Sequence, residues 1–478
     1  MSEQILDVVK EYLTAHREDI LADLVRLTEI PSLRGESQPD ARYGRQVRKA
    51  LEEACRMLGE AGFRAQVEPD GAFAICDWGE GNSTLGIVPH LDIVSADSGW
   101  TSNPFHPVRN GDFLVGRGVS DNKGGAVMAI WAMRALRETG FVPRGRVRLC
   151  MGGNEETGME DMKLFRERYG APSFSLVPDA FFAVGIGQKG RAMLRLKLKD
   201  HLKDIRDIEG GNITSGSVPA QAACTLPDNQ AVRHALETID REAERLSWCE
   251  TDCGIRLAAE GVSAHTAMPQ GSVNALWILV RTLGTLKCID EGDRRAMAEL
   301  AELTAGYNGA GMGIDTEDEV SGALTCVAFY LGRSGEKIHV DCNIRFPVSV
   351  DEKELEAAIR SRLAGCLCWE LDEFHSNSPY YLPADREEVS LLRRAYEACT
   401  GEAADLYVHP GGTYAKELGN AVIFGNEFRK SIPFPEGRGR AHQADEAVSI
   451  TDLIEGTSVY CEAIWMLDRF LVEKGEKT

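Results

Sequence analysis

The chain has 478 residues, 43% hydrophobic and 27% charged, the profile of a folded protein with room for two or more domains. Its formal net charge of −21 repels nucleic-acid phosphates and anionic lipid, so neither nucleic acid nor membrane is expected as a partner. No apolar run reaches the length of a spanning helix, and the opening M-S-E-Q-I-L-D lacks the basic and apolar regions of a secretion signal. The 13 cysteines are odd in number and form no paired Cys-x-x-Cys units, so they read as reduced thiols of a cytoplasmic protein.

In chain order, the apolar spacing over residues 4–28 predicts one or two amphipathic helices, stopped by Pro31. A further helix is expected over 41–61, ended by Gly62, then a hairpin over 63–77 turning at Pro69-Asp70-Gly71. Leu85 to Val88 is too short for a helix and rich in β-formers, so it reads as a buried strand. Helices are expected over 124–138 and 159–169, with strands over 146–151 and 173–177. Strands alternating with helices imply an α/β fold with a mixed, mostly parallel sheet flanked by helices. The pattern then changes. Residues 191–199 alternate in period two, and there follow an expected helix over 229–246, the peptide G-V-S-A-H-T-A-M-P-Q-G, a helix over 273–286, and a strand ending C-N-I-R-F-P. This stretch, 188–383, reads as an inserted α+β lid domain between two segments of a catalytic domain, 1–187 and 384–478. The second segment carries a helix over 385–399, a strand over 421–424 and a closing helix to about residue 470.

The chemistry-bearing residues fall at predicted strand ends or in loops. They are His90, Asp92, Asp121, Glu155, Glu156 and Asp179, with His442 in a loop before the last helix. Ligands in open α/β sheets sit beyond the carboxyl ends of strands. A lone histidine there is usually structural, a lone aspartate after a turn usually caps a helix, and Glu-Glu pairs are usually solvated. It is their joint placement that points to metal. Two histidines with several carboxylates suit Zn²⁺ or Mn²⁺ rather than a thiolate site. One shared carboxylate would make a two-metal site, and adjacent glutamates let one bind metal while the other acts as base.

Taken together, H-L-D, G-R-G-V-S-D-N-K-G, N-E-E-T-G, V-P-D-A and A-H-Q-A-D-E resemble the co-catalytic zinc peptidases that include aminoacylase, carnosinase, succinyl-diaminopimelate desuccinylase and carboxypeptidase G. The resemblance spans the whole chain and is nearest the PepV-type bacterial dipeptidases. It implies a phosphorylase/hydrolase-like catalytic domain holding two divalent ions, zinc first and manganese as the alternative. His90, Asp121 and Asp179 would hold one, and Asp121, Glu156 and His442 the other, with Asp121 bridging. Glu155 would be general base and Asp92 would orient His90. The peptide after Asp121 would be cis. An aspartate at 179 goes with the dipeptidase and aminopeptidase branch, where its free oxygen meets the substrate's α-ammonium.

In the lid, His265 resembles the histidine that stabilises the oxyanion, and Arg345 the arginine that clamps the substrate's C-terminal carboxylate. Gly411, Gly412 and Thr413 resemble the loop whose amides meet that carboxylate. One departure stands out: Gly216 occupies the place of the family's usual asparagine, leaving a polar contact to be lost or supplied by Thr214, Ser215 or Ser217. The enlarged lid implies a monomer, with a homodimer as the alternative. The expected activity is metal-dependent dipeptide hydrolysis. The alternatives are an N-acyl-amino-acid amidohydrolase and a binding homologue without turnover.

Overall fold

The short apolar run at Leu85 does form a strand, Thr84–Ile87, and the sheet of the first unit is built outward from it. The computed structural model describes residues 1, 3–213, 216–239, 242, 244–335, 337–428, 434 and 438–476. They fall into two compact units. Met1–Gly187, Tyr381–Tyr407 and Gly412–Thr478 make the first, and Gln188–Tyr380 with Val408–Gly411 the second. Residues 408–411 thus group with the inserted unit, not with the second catalytic segment to which the sequence reading gave them.

In the first unit the strand order runs Ala65–Val67, Phe73–Trp78, Arg146–Gly152, Thr84–Ile87, Phe174–Val177, Ala421–Ile423, Val184–Gln188. Its centre is parallel: Thr84–Ile87 pairs with Arg146–Gly152 on one side and Phe174–Val177 on the other, which in turn pairs with Ala421–Ile423. Antiparallel pairings flank that centre. Leu85 stands opposite both Val147 and Phe174, so three neighbouring strands run level and open their carboxyl ends on one edge.

The helix Lys123–Glu138 is enclosed rather than amphipathic, with 13 of its 16 residues buried. It packs against Ile450–Gly475 and Arg17–Thr28. Glycines let its first turn approach its neighbours. A Cβ at Gly124 would stand 2.3 Å from the Val119 carbonyl oxygen, and one at Gly125 2.5 Å from that of Pro178. This seats the Asp121 turn against the end of the Phe174–Val177 strand.

The second unit is an eight-stranded sheet in the order Leu246–Thr251, Gly254–Glu260, Gln221–Leu226, Arg206–Gly211, Thr325–Ser334, Lys337–Phe346, Gly190–Leu198, Trp369–Asn377. All seven pairings are antiparallel. Leu194, Leu196 and Leu198 enter one core with the helices Ala275–Thr285, Glu291–Leu303 and Glu352–Ala364. The helix expected over 229–246 spans only Gln230–Glu237, and Leu246–Thr251 is an edge strand. Cross-strand pairing with Gly254–Glu260 overrides the local helical spacing there. No helix among the described residues is long and apolar enough to cross a membrane.

Leu149 is fully buried in the strand Arg146–Gly152, so Leu149→Ala should cost about 2–5 kcal/mol. Thermal melting should show a midpoint several degrees lower; an unchanged midpoint would contradict this core.

Candidate active site

Three level strand ends present His90, the Glu155-Glu156 pair and Asp179 along one edge. Pairing continues past the strands: Leu91 N–H donates to the Gly152 carbonyl at 2.9 Å, and Gly152 N–H to that of Pro89 at 2.9 Å. His90 is fully buried, and its Nδ1 lies 2.9 Å from the Asp92 carbonyl oxygen. A carbonyl can only accept, so Nδ1 carries the proton and Nε2 is left available to bind. That Nε2 stands 3.0 Å from Asp121 Oδ1 and 3.7 Å from Asp179 Oδ1.

Asp121 turns its other oxygen to the second histidine. His442 Nε2 lies 3.0 Å from Asp121 Oδ2 and 3.1 Å from Glu156 Oε1. Each imidazole therefore sits between two carboxylates, and the two sets share Asp121. Donor atoms of His90, Asp121 and Glu156 lie within 4.8 Å of one another, as do those of His90, Glu155 and Asp179. By distance alone Glu155 is thus as near a ligand position as Asp179. The Asp121–Asn122 peptide is cis.

Asp92 does more than face the imidazole. Its carboxylate is 3.4 Å from His90 Nδ1, but its two oxygens accept the backbone N–H groups of Glu155 and Glu156, each at 3.1 Å. Other supports went unread in the sequence. The buried Glu446 carboxylate accepts from the N–H groups of Gly118 (3.1 Å), Ser120 (2.9 Å) and Asp121 (3.0 Å), and pairs with buried Arg117 at 2.6 Å. Asp161 accepts from Gly153 N–H at 2.8 Å and from the Tyr414 hydroxyl, fixing the turn before Glu155. The signal for Glu446 was its place at the end of A-H-Q-A-D-E; Asp161 carried none, since it reads as an ordinary first-turn acid. The loop around His442 is held by Asp445, which accepts from Thr101 N–H at 2.8 Å and pairs with Arg438. Both His442 (φ 65°) and Asp445 (φ 55°) adopt left-handed backbone, a strained conformation of the kind that collects at functional sites.

The electrostatics follow from this crowding. Partial desolvation works against charge on His442, whose side chain is still 54% exposed, but Asp121 and Glu156 outweigh it and lift the imidazole to about 11. Burial likewise opposes charge on His90, and Asp179, Asp121 and Asp92 push it well above the usual histidine value. Desolvation opposes charge on the half-buried Asp121 too, yet His442 and His90 hold it far below the ordinary carboxylate range. Burial, then Asp121, raises Glu156 to about 7, and burial, then Asp179, drives Glu155 well above its usual value.

The remaining expected residues are placed as follows. In the inserted unit, His265 Nδ1 accepts the Ala267 N–H at 3.1 Å, which leaves the ring proton on Nε2. Ser217 bridges to His265, and Gly216 has φ 56° with open space where a side chain would begin. Thr214 and Ser215 lie outside the described residues. Arg345 is 7% exposed on the strand Lys337–Phe346. Gly411 N–H donates to His409 Nδ1 at 3.0 Å, while Gly412 and Thr413 belong to the first unit. The Thr413 hydroxyl accepts the Ala415 N–H at 3.2 Å as cap of the helix Tyr414–Leu418.

The profile of Peptidase family M20/M25/M40 matches residues 86–466. The chain belongs to that family of peptide hydrolases. It is 28% identical over 463 residues to YtjP of Bacillus subtilis (strain 168), provisionally named a dipeptidase, covering 94% of this chain and 97% of that one. It is 27% identical over 473 residues to the Beta-Ala-Xaa dipeptidase of Lactobacillus delbrueckii subsp. lactis, covering 96% and 98%. Among solved structures, human carnosine dipeptidase 1 shares the fold, with a TM-score of 0.59 at 16% identity over 97% of this chain and 99% of that one.

The donor set fits divalent cations. Imidazole Nε2 atoms and carboxylate oxygens converge, and the carboxylates stabilise positive charge at both imidazoles. Metal ligation requires neutral imidazole, so loading metal-free protein at neutral pH should release about one to two protons per chain and tighten as pH rises. Titration calorimetry in buffers of different ionisation enthalpy measures this; zero proton release would contradict the ligand set.

Proposed function

We propose that this chain is a metallo-dipeptidase, hydrolysing free-amine dipeptides with two divalent ions, zinc or manganese. The single observation that carries the proposal is that the two oxygens of Asp121 each lie 3.0 Å from a different imidazole. His90, Asp121 and Asp179 would hold one ion, and Asp121, Glu156 and His442 the other. The relatives' dipeptidase names favour this substrate class over acyl-amino acids.

When bound, the ions acidify the attacking water and polarise the scissile carbonyl. The residues of the chain do the rest. Glu155 takes the water's proton, holds it, and returns it to the leaving nitrogen as the peptide bond breaks. Burial and the neighbouring Asp179 raise its affinity for a proton, which suits a carboxylate that must accept one and hold it until the second step. Asp92 keeps Glu155 and Glu156 aimed by gripping both of their backbone amides. His265 donates from Nε2 to the oxyanion, since its Nδ1 is already occupied as an acceptor. Arg345, with the amides at Gly411, Gly412 and Thr413, holds the C-terminal carboxylate. Asn122 and His90 both meet Asp179 at Oδ1, so Oδ2 is the oxygen left for the substrate's α-ammonium. The monomeric state and cytoplasmic location expected from the sequence belong to the same proposal.

Glu155→Gln should lower kcat by about 10²–10⁴ on every dipeptide with KM little changed. His265→Ala should cost about 10²–10³ in kcat. Both are measured by steady-state kinetics on dipeptides and their N-acetylated forms in Zn²⁺ and in Mn²⁺. Near-wild-type turnover by Glu155→Gln would contradict the mechanism, and faster cleavage of the N-acetylated forms would move the substrate class to acyl-amino acids.

A further inference from the structure

The sheet of the second unit has two unlike faces. Alternate residues of Gly190–Leu198 and Lys337–Phe346 enter the apolar core. The others place Arg191, Met193, Arg195 and Lys197 beside Asp341, Asn343 and Arg345 on the opposite face. Along most of this face each cation has an acid. Lys197 lies 3.0 Å from Asp372 and 3.2 Å from Glu370. Arg195 makes a two-point contact with Asp341, at 2.7 and 3.0 Å.

The pairing stops at the end of the strands. Arg345 stands directly opposite Arg191, with Thr325 as its neighbour on one side and Asn377 beyond Arg191 on the other. Among the described residues, neither arginine has a carboxylate partner. Arg345 is 93% buried by its 7% exposure, and its Nε has no hydrogen-bond acceptor. The buried Thr325 Oγ1 and Asn343 Oδ1 beside it are also without partners. Burial, then the charge of Arg191, pulls Arg345 down to about 10. Like charges directly opposite on a sheet repel, and a buried guanidinium without an anion is costly. The other two cations of Gly190–Leu198 are each neutralised by acids on neighbouring strands, so the exception at this row is specific.

Opposed side chains on neighbouring strands start about 4.5–5.5 Å apart. The α- and side-chain carboxylates of a C-terminal aspartate or glutamate are separated by only two or three carbons, and a guanidinium fork suits each of them. We infer that Arg345 and Arg191 form a dicarboxylate site, and that the preferred substrates are dipeptides ending in aspartate or glutamate. Arg345 takes the α-carboxylate and Arg191 the side-chain carboxylate. The inference rests on the dipeptidase proposal and names its substrate class. It also accounts for how a chain of net charge −21 would accept an acidic peptide.

The test compares kcat/KM for Ala-Asp and Ala-Glu with that for Ala-Asn and Ala-Gln, in the wild type, Arg191→Ala and Arg191→Lys. The wild type should prefer the acids by about tenfold, one charge-assisted contact's worth. Arg191→Ala should bring the ratio close to one, and Arg191→Lys should keep most of it. Circular dichroism checks that the variants fold, as expected for an exposed residue. Equal rates on acids and amides in the wild type, or an unchanged ratio in Arg191→Ala, would overturn the inference. If the wild type cleaves no dipeptide, the dipeptidase proposal fails, and the arginine pair is then judged by calorimetric binding of Ala-Glu against Ala-Gln. Tighter binding of Ala-Glu that is lost in Arg191→Ala supports the site; equal affinities overturn it.

Discussion

A single carboxylate whose two oxygens face two different imidazoles sets the terms for the rest of the first unit. Asp121 is half-buried, negatively charged and shared, so everything around it must fix its direction and balance its charge. Glu446 fixes the backbone by accepting three amides of one turn, those of Gly118, Ser120 and Asp121, and Arg117 offsets the charge of Glu446 itself. Asp92 and Asp161 do the corresponding work for the Glu155-Glu156 turn. The site is therefore two layers of carboxylates. The inner layer presents oxygens to the imidazoles, and the outer layer binds backbone amides so that the inner one cannot drift.

Much of this was legible in the sequence because sheet topology does the convergence. Three parallel strands in level register deliver His90, Glu155, Glu156 and Asp179 to one edge, and a short apolar run with a polar residue at its end is a readable signal for each. Asp121 needed only its Gly-rich turn and the helix after it. The outer layer was much less legible. Glu446 acts on amides more than three hundred residues earlier in the chain, and Asp161 sits where helix propensity alone would put an acid. Neither partner set is encoded in local spacing.

The inserted unit was read less well, for a related reason. Its sheet is wholly antiparallel and its registers are set between strands distant in sequence. A stretch such as 229–246 looks helical until its end is pulled into an edge strand by Gly254–Glu260. The helix Glu291–Leu303, capped by the Asp290 carboxylate on the amides of Gly292 and Asp293, was not among the elements expected from the sequence. The meeting of Arg191 with Arg345 is of the same kind: no spacing along the chain reveals that two arginines face each other across a strand pair.

The most direct test of the account is to locate the metal. Crystals of the protein loaded with Zn²⁺, and separately with Mn²⁺, examined by anomalous X-ray scattering at each metal's edge, should show two ion peaks per chain with the Asp121 carboxylate between them. One peak contacts His90 and the other His442. A single peak, or peaks that leave Asp121 without contact, would contradict the shared carboxylate on which this reading of the molecule depends.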